Sequence, residues 1–181
     1  MLKNTTQHYG LTAKILHWIS AITIVVLFAL GLWMVELDYD HDWYYPAPHY
    51  HESIGLLLAL VISIRIIWRW FNISPSAADT TSALERRAAH WAHIVIYVGI
   101  VIILISGYLI PTADNRGIDV FTWLTVPSLG ELIPQQADTA GNIHYWSAYG
   151  LMGLVLIHIL AALKHHFINQ DNTLKKMLYF K

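Results

Sequence analysis

Four apolar runs dominate the chain, and each is long enough to cross a lipid bilayer as a helix. A bilayer-spanning helix needs about 20 predominantly apolar residues. The runs cover residues 15–35, 53–71, 91–110 and 144–163. They leave too little of the 181 residues for a second, soluble domain. The pattern therefore predicts an all-α fold, a four-helix transmembrane bundle in which residues 1–181 form a single membrane domain.

Charged residues between the runs predict how the bundle is oriented. With the N-terminus inside, the inner segments hold ten of the eleven Lys and Arg residues. The outer loops, residues 36–52 and 111–143, hold only Arg116 and nine of the twelve acidic residues. Because cytoplasmic segments of membrane proteins are enriched in Lys and Arg, we expect both termini to be cytoplasmic.

The composition excludes several classes of function. The chain contains no Cys, which rules out structural disulfides, thiolate metal sites, iron–sulfur clusters, Cys nucleophiles and covalent attachment of a cofactor through Cys. A formal net charge of −1 provides no basic field to attract nucleic acid. Histidine is abundant, with eleven residues, so the positions of the His residues say most about function.

Four His residues fall at two depths of the predicted bundle. His17 lies at the inner end of the first run, and His51 lies at the outer end of the second. His144 and His158 flank the fourth run, 14 residues apart. This spacing is close to four helical turns, so both point to one face, about 21 Å apart along the axis. The inner layer then contains His17 and His158, and the outer layer contains His51 and His144.

Two His residues at one depth on facing helices can bind both faces of a planar metal cofactor. This is the requirement of a bis-histidine haem that stands between the helices of a bundle. One turn after each His, a small residue leaves room for the ring: Ala21, Gly55, Ala148 and Ala162. A zinc site would need three or four ligands at one depth. The pattern therefore predicts two haems, with the iron atoms held by His17, His51, His144 and His158.

Other interpretations of these positions stay open. The ends of membrane spans are wet, so His residues there can be interfacial side chains without a ligand. His93, which opens the third run, competes with His17 as the inner ligand. His49, two residues before His51, competes with it as the outer ligand.

Three more residues near the inner end are candidates for binding. Arg65 and Arg69 share one face of the second run. They can pair with propionates of the inner haem or extend to lipid headgroups. His165 follows His158 by seven residues, so it lies on the same face and nearer the cytoplasm. It can protonate a small ligand beside the inner haem, or contact headgroups beside Lys164.

The order and spacing of several short motifs resemble the bacterial cytochrome b561 family over nearly the whole chain. The matching stretches are Leu16-His17-Trp18, His51-Glu52-Ser53-Ile54-Gly55, Ala92-His93-Ile94-Val95-Ile96-Tyr97, Gly107-Tyr108-Leu109-Ile110, His144-Tyr145-Trp146, the run from His158 to Phe167 and the tail from Asp171 to Met177. The long second outer loop resembles a subgroup associated with a secreted, lipocalin-like partner.

The resemblance implies a multi-pass protein of the bacterial inner membrane that carries two haem b groups. By motif position, His17 and His158 match the inner ligands, and His51 and His144 match the outer pair. His165 matches a residue implicated in binding quinone, so ubiquinone is a candidate substrate. One activity of the family is oxidation of superoxide at the outer face. The acidic outer loops argue against that activity here, because they should repel an anion.

We therefore expect a transmembrane electron-transfer cytochrome that connects a periplasmic donor or acceptor with an inner quinone-type site. Whether it is a quinone-linked oxidoreductase with its own substrate, such as a superoxide:quinone oxidoreductase, or a relay for a partner is open. A different class of function is a haem-free, His-lined transporter or membrane scaffold.

Overall fold

Four long helices make up most of the structure, a computed structural model that describes residues 1–78 and 81–179. The helices are α1 (Leu11–Met34), α2 (Pro46–Trp70), α3 (Ala83–Leu109) and α4 (Gln136–Phe167). All four are long and apolar enough to cross a membrane. The predicted four-helix membrane fold is therefore confirmed. Many of the apolar side chains on these helices are exposed, as expected for surfaces that face lipid.

Local sequence signals explain where the helices begin and end. Pro46 and Pro48 occupy the first turn of α2, where the missing N–H of proline removes no helical hydrogen bond. Ser82 and Glu85 form a reciprocal capping box at the start of α3. Pro111 follows α3 and opens a single 3₁₀ turn, Pro111–Asp114.

The helices form two hairpins with few contacts between them. Helix α1 packs mainly along α2, and α3 packs mainly along α4. A cluster of buried aliphatic side chains joins the hairpins midway along the bundle: Leu27, Leu58, Ile62, Ile100 and Leu151. On one side of this cluster, an apolar cavity lies between the hairpins.

The start of α1 and the described part of the C-terminal tail, up to residue 179, lie together at one end of the bundle, which we call the terminal end. The C-terminal tail, which includes the short helix α5 (Lys175–Leu178), folds back over the start of α1. The Nζ atom of buried Lys14 donates to the carbonyl of Tyr179 at 2.5 Å, and the Trp18 indole donates to the carbonyl of Met177 at 3.0 Å. Lys176 contacts the carbonyl of Ser76 in the connection between α2 and α3 at 2.8 Å.

The opposite end, which we call the sheet end, carries the only strands among the described residues. Strands β1 (Ile118–Val120) and β2 (Leu124–Val126) form an antiparallel hairpin. Ser53 of α2 is fully buried against this hairpin. Its hydroxyl donates to the carbonyl of Asp119 at 3.0 Å and accepts from the amide of Phe121 at 2.9 Å. The hairpin therefore sits over the first turns of α2.

Candidate haem sites

His51 and His144 face each other at the sheet end. Their ring centres are 6.1 Å apart, with an angle of 71° between the ring planes. An apolar cavity of about 240 Å³ lies beside them, and its lining comes from all four long helices and from Ile118 of the β-hairpin. His51 belongs to the first helix hairpin and His144 to the second, so the pair spans the gap between them.

Each of these two imidazoles lies against a glycine of its neighbouring helix. A Cβ atom on Gly31 of α1 would lie 3.4 Å from Cε1 of His51. A Cβ atom on Gly107 of α3 would lie 3.0 Å from Cε1 and 3.1 Å from Nδ1 of His144. Glycine therefore lets both rings lie close to a helix backbone, and the fit is tighter at Gly107.

The Nδ1 atoms of the two rings have different surroundings. Nδ1 of His144 lies 3.0 Å from the carbonyl of Ile103 and 3.4 Å from the hydroxyl of Ser106. A carbonyl only accepts, so it fixes the proton on Nδ1 and leaves Nε2 as the metal-binding nitrogen, the usual arrangement for a metal-ligating His. Nδ1 of His51 is buried, and no hydrogen-bond partner for it is found among the described residues.

His17 and His158 form the corresponding pair at the terminal end. Their ring centres are 6.5 Å apart, and the ring planes are at 67°. This pair also joins the two hairpins, because His17 lies on α1 and His158 on α4. His93 lies closer to His158, at 5.3 Å, but belongs to α3, which packs along α4.

Both pairs that span the gap have the separation expected for two ligands of one iron atom. Each metal–imidazole bond is about 2 Å long and each nitrogen lies about 1 Å from its ring centre, so the ring centres lie about 6 Å apart. The values of 6.1 and 6.5 Å fit this geometry. The 5.3 Å between His93 and His158 is shorter. A macrocycle between these two residues would also have to separate α3 from α4.

A hydrogen bond from Arg65 affects how His17 could bind iron. The Arg65 guanidinium donates to Nδ1 of His17 at 2.9 Å. A neutral imidazole that accepts at Nδ1 carries its proton on Nε2. Iron binding through Nε2 therefore requires Arg65 to move away from His17. His93 differs, because its Nδ1 lies 2.7 Å from the carbonyl of Ala89.

Arg65 and Arg69 converge on Tyr97 of α3. The guanidinium carbons lie 5.5 and 5.6 Å from the centre of the Tyr97 ring, within the range of cation–π contacts. Neither guanidinium forms an ion pair with a carboxylate in the described part of the chain. Burial raises the pKa of the nearby Tyr9 phenol and outweighs the lowering effect of Arg69 and Arg65. The phenol therefore stays neutral, and the two positive charges are available to an anion.

His165 lies beyond His158, at the end of α4, and pairs with the tail. Its Nδ1 atom lies 2.6 Å from Oδ2 of Asp171 and 3.3 Å from the Asn169 amide. Lys164 is turned to a different partner and forms an ion pair with Glu85 of α3.

His49 is placed differently from His51. Its ring packs against Tyr50 and against Phe121 of the hairpin, at 5.9 and 6.4 Å. It also lines a more polar depression at the sheet end, together with Arg116. Of the two rivals, His51 is the one whose ring lies opposite His144.

Several residues of these sites were not found from the sequence. Gly31 and Gly107 interrupt helical stretches, and an isolated glycine inside a helix is a signal of close packing that could have pointed to both. Asp171 begins the matched tail motif, but that motif gives no sign of its contact with His165, six residues earlier. Ile118 gave no signal, because only the folded chain brings the hairpin over the cavity.

Comparison with known proteins agrees with this architecture. The model of a family described as prokaryotic cytochrome b561 matches residues 8–180. Cytochrome b561 homolog 2 of Escherichia coli (strain K12) is 45% identical over 97% of this chain and 93% of its own length. Cytochrome b561 homolog 1 of the same organism is 24% identical over 95% of this chain and 97% of its own. The probable superoxide oxidase CybB of Yersinia pestis is 26% identical over 90% and 91%.

The match extends over nearly the whole chain and includes all four long helices. The resemblance inferred from short motifs is confirmed. The chain belongs to the prokaryotic cytochrome b561 family, and with it to the haem-b oxidoreductases that carry electrons in the bacterial inner membrane.

Proposed function

We propose that the protein binds two haem b groups, one at each end of the bundle, and carries electrons across the membrane between a partner at the sheet end and a quinone at the terminal end. The observation that carries this proposal is the recurrence of one geometry at two depths. Each facing pair takes one His from each hairpin, with ring centres 6.1 and 6.5 Å apart.

In this proposal, His51 and His144 hold the iron at the sheet end, and His17 and His158 hold it at the terminal end. Bound haem supplies the one-electron redox chemistry. The chain supplies two imidazoles to each iron, an apolar cavity and a fixed spacing of about 21 Å between the two layers along α4. The aliphatic cluster around Leu27 excludes water between the layers.

Arg65 and Arg69 bind the propionates at the terminal end. Arginine side chains pair well with carboxylates, and no carboxylate within the described residues neutralises these two. Iron binding by His17 through Nε2 would require its Nδ1 atom to stop accepting from Arg65, and the Arg65 guanidinium could then pair with a carboxylate of the cofactor. The two guanidinium groups beside Tyr97 would favour a negatively charged group there.

The quinone binds at the terminal end with His165 as its proton partner. Conversion between quinone and quinol requires two electrons and two protons, and haem transfers only electrons. His165 lies two helical turns beyond His158, at the boundary of the bundle, where an imidazole can exchange protons with water. In the orientation that the charge pattern predicts, this end faces the cytoplasm and the sheet end faces the periplasm.

The test is a count of haem b per chain combined with spectra of single variants. Purified protein should contain two haem b groups per chain, with two low-spin bis-imidazole signals in the electron paramagnetic resonance spectrum. His144→Ala should remove one signal, and His158→Ala should remove the other. A single haem per chain, or loss of both signals in each variant with the chain still folded, would contradict the two-site assignment.

A second candidate is oxidation of superoxide at the sheet end, with quinone as the electron acceptor. It is favoured by the similarity to a relative that is named a probable superoxide oxidase. It is disfavoured by the acidic residues of this end, which repel an anion unless the edge of the haem has a local positive potential. The rate of haem reduction should rise with salt for an anionic donor such as superoxide and fall with salt for a cationic donor. A basic, lipocalin-like periplasmic protein would be a donor of the cationic kind.

A further inference from the structure

A buried His–Asp pair lies where the bundle meets the C-terminal tail. The side chain of His165 is 15% exposed, and that of Asp171 is 4% exposed. Oδ2 of Asp171 lies 2.6 Å from Nδ1 of His165. The imidazole ring is therefore partly exposed to solvent, while the carboxylate of Asp171 is almost fully buried.

The backbone of the tail directs this carboxylate at the ring. After α4 ends, Gln170 takes a left-handed conformation with φ of 53°, which turns the chain back. The amide of Asp171 then donates to the carbonyl of His165 at 3.1 Å. The amide of Thr173 donates to Oδ1 of Asp171 at 2.8 Å. Thr173 thus holds one carboxylate oxygen, and the other oxygen faces the imidazole.

The protonation of the pair follows from these contacts. Burial raises the pKa of Asp171, but the hydrogen bonds from Thr173 and His165 outweigh burial and lower it to about 2. An ionised carboxylate only accepts hydrogen bonds, so Nδ1 of His165 must carry a proton. Exchange of a proton with any other group is then left to Nε2.

We propose that Asp171 is a positioning residue of the quinone site, which holds His165 with a proton on Nδ1 so that Nε2 exchanges protons with the quinone. The inference rests on the proposed function in one respect, the placement of the quinone beside His165. It adds a residue from outside the membrane spans and assigns a separate task to each nitrogen of the ring.

Reduction of one quinone takes two electrons, delivered one at a time through haem, and two protons. In each transfer, protonated His165 gives the Nε2 proton to a quinone oxygen and keeps the Nδ1 proton toward Asp171. It then recovers a proton from water. Quinol oxidation uses the same steps in reverse.

A purely structural role for Asp171 makes a different prediction. The same contacts could serve only to stop α4 and dock the tail. Lys176→Ala is the matched control, because Lys176 also docks the tail, through the carbonyl of Ser76, but does not contact the pair. If docking is all that matters, Lys176→Ala and Asp171→Asn should have similar effects.

The first measurement reads the tautomer without turnover. In haem-loaded, dithionite-reduced protein with ¹⁵N-labelled His, the signals of His165 are identified by their loss in His165→Gln. We expect a protonated Nδ1 in the parent chain and in Lys176→Ala. In Asp171→Asn the amide can donate to Nδ1, so we expect the proton to move to Nε2. An unchanged tautomer in both Asp171→Asn and Asp171→Ala would overturn the inference.

The second measurement is reoxidation of the reduced haems by decylubiquinone. We expect Asp171→Asn to slow it by about tenfold or more, since loss of a carboxylate that orients a catalytic imidazole has at least that effect. Asp171→Glu should recover part of the rate, and Lys176→Ala should keep nearly all of it. If Asp171→Asn keeps the parent rate while His165→Ala is slow, the positioning role of Asp171 is contradicted and the quinone site at His165 is not. If His165→Ala also keeps the parent rate, the proposed quinone site itself fails.

Discussion

Gly107, which has no Cβ atom, lets the backbone of α3 lie close to the His144 ring. The Cβ atom of an alanine at Gly107 would lie 3.0 Å from Cε1 and 3.1 Å from Nδ1 of this ring. We expect Gly107→Ala to displace His144 and to lower the occupancy or shift the spectrum of the sheet-end haem, while the other haem is unchanged. Haem content and the low-spin signals of the purified variant measure this.

Gly31→Ala is the matched control, because the added atom would lie 3.4 Å from His51, at the edge of ordinary contact. Its effect on the same signals should be smaller. Gly99→Ala lies deeper on α3 and would only touch Cδ1 of Leu151 at 3.6 Å. An equal loss of haem in all three variants would mean that helix packing, rather than ring placement, is being measured.

His17 and His93 are rival candidates for the ligand at the terminal end. We expect His17→Ala to remove the signal of the terminal-end haem, because His17, unlike His93, faces His158 across the gap between the hairpins, at 6.5 Å. His93→Ala should keep both signals. The reverse result would assign the iron to His93. At the sheet end, the corresponding comparison is His51→Ala against His49→Ala.

Sequence reasoning named the four candidate His residues and Arg65, but not the contacts that the structure shows around them. Helical periodicity places His144 and His158 on one face of α4, and this needs no knowledge of the rest of the fold. The contact between Arg65 and His17 joins residues 48 positions apart on two helices. No local pattern encodes that contact, so the condition it sets on His17 emerged only from the structure.

One hydroxyl group of α2 makes two hydrogen bonds to the β-hairpin. Ser53→Ala removes the donor to Asp119 and leaves the amide of Phe121 without its acceptor. Such a loss costs about 1–3 kcal/mol for a buried group. We expect faster hydrogen exchange over residues 118–126 and a lower melting temperature, with four helices retained.

Ser63→Ala tests whether the effect is specific to the hairpin. Ser63 lies on the same helix, but its hydroxyl donates only to the carbonyl of Ala59 within α2. Exchange over residues 118–126 should match the parent in this variant. Equal protection in Ser53→Ala and the parent would show that packing against α2, rather than the hydroxyl, holds the hairpin.

The elements themselves were predictable to different degrees. The four long helices follow from apolar length, because a run of about 20 apolar residues fits the lipid bilayer, where a helix satisfies its own backbone hydrogen bonds. The early starts of α2 at Pro46 and of α4 at Gln136 lie in polar sequence, where hydropathy carries no signal. The hairpin strands have only three residues each, too few for an alternating pattern to identify, and Ser53 stabilises them from a distant part of the chain.

The absence of Cys makes the orientation of the protein in the membrane directly measurable. The parent chain offers no thiol, so a single introduced Cys is the only site of labelling. A membrane-impermeant maleimide added to intact spheroplasts should label Asp40→Cys at the sheet end and leave Lys3→Cys unlabelled until the membrane is opened. Labelling of Lys3→Cys alone in closed spheroplasts would reverse the predicted orientation.

The charge of the sheet end predicts the salt dependence of electron delivery. The loops of this side and the adjacent helix ends hold nine acidic residues and a single basic residue other than His, Arg116. An anionic reductant should reduce the haems slowly at low salt and severalfold faster as salt rises, because charges are screened over about 10 Å at 0.1 M. A cationic reductant of similar potential should show the opposite trend in stopped-flow measurements. A rapid superoxide reaction that slows with added salt would contradict this prediction and favour a local positive site.

The arrangement of α1 with α2 and of α3 with α4 bears on how the protein is made in the cell. The two helices of each hairpin pack on each other, so we expect each hairpin to insert into the membrane as a unit. Each candidate cofactor site takes one His from each hairpin, so cofactor binding would stabilise the association of the two hairpins by mass action. In cells short of haem, the two hairpins of a newly made chain would therefore associate less tightly. Such chains would be degraded faster by membrane proteases.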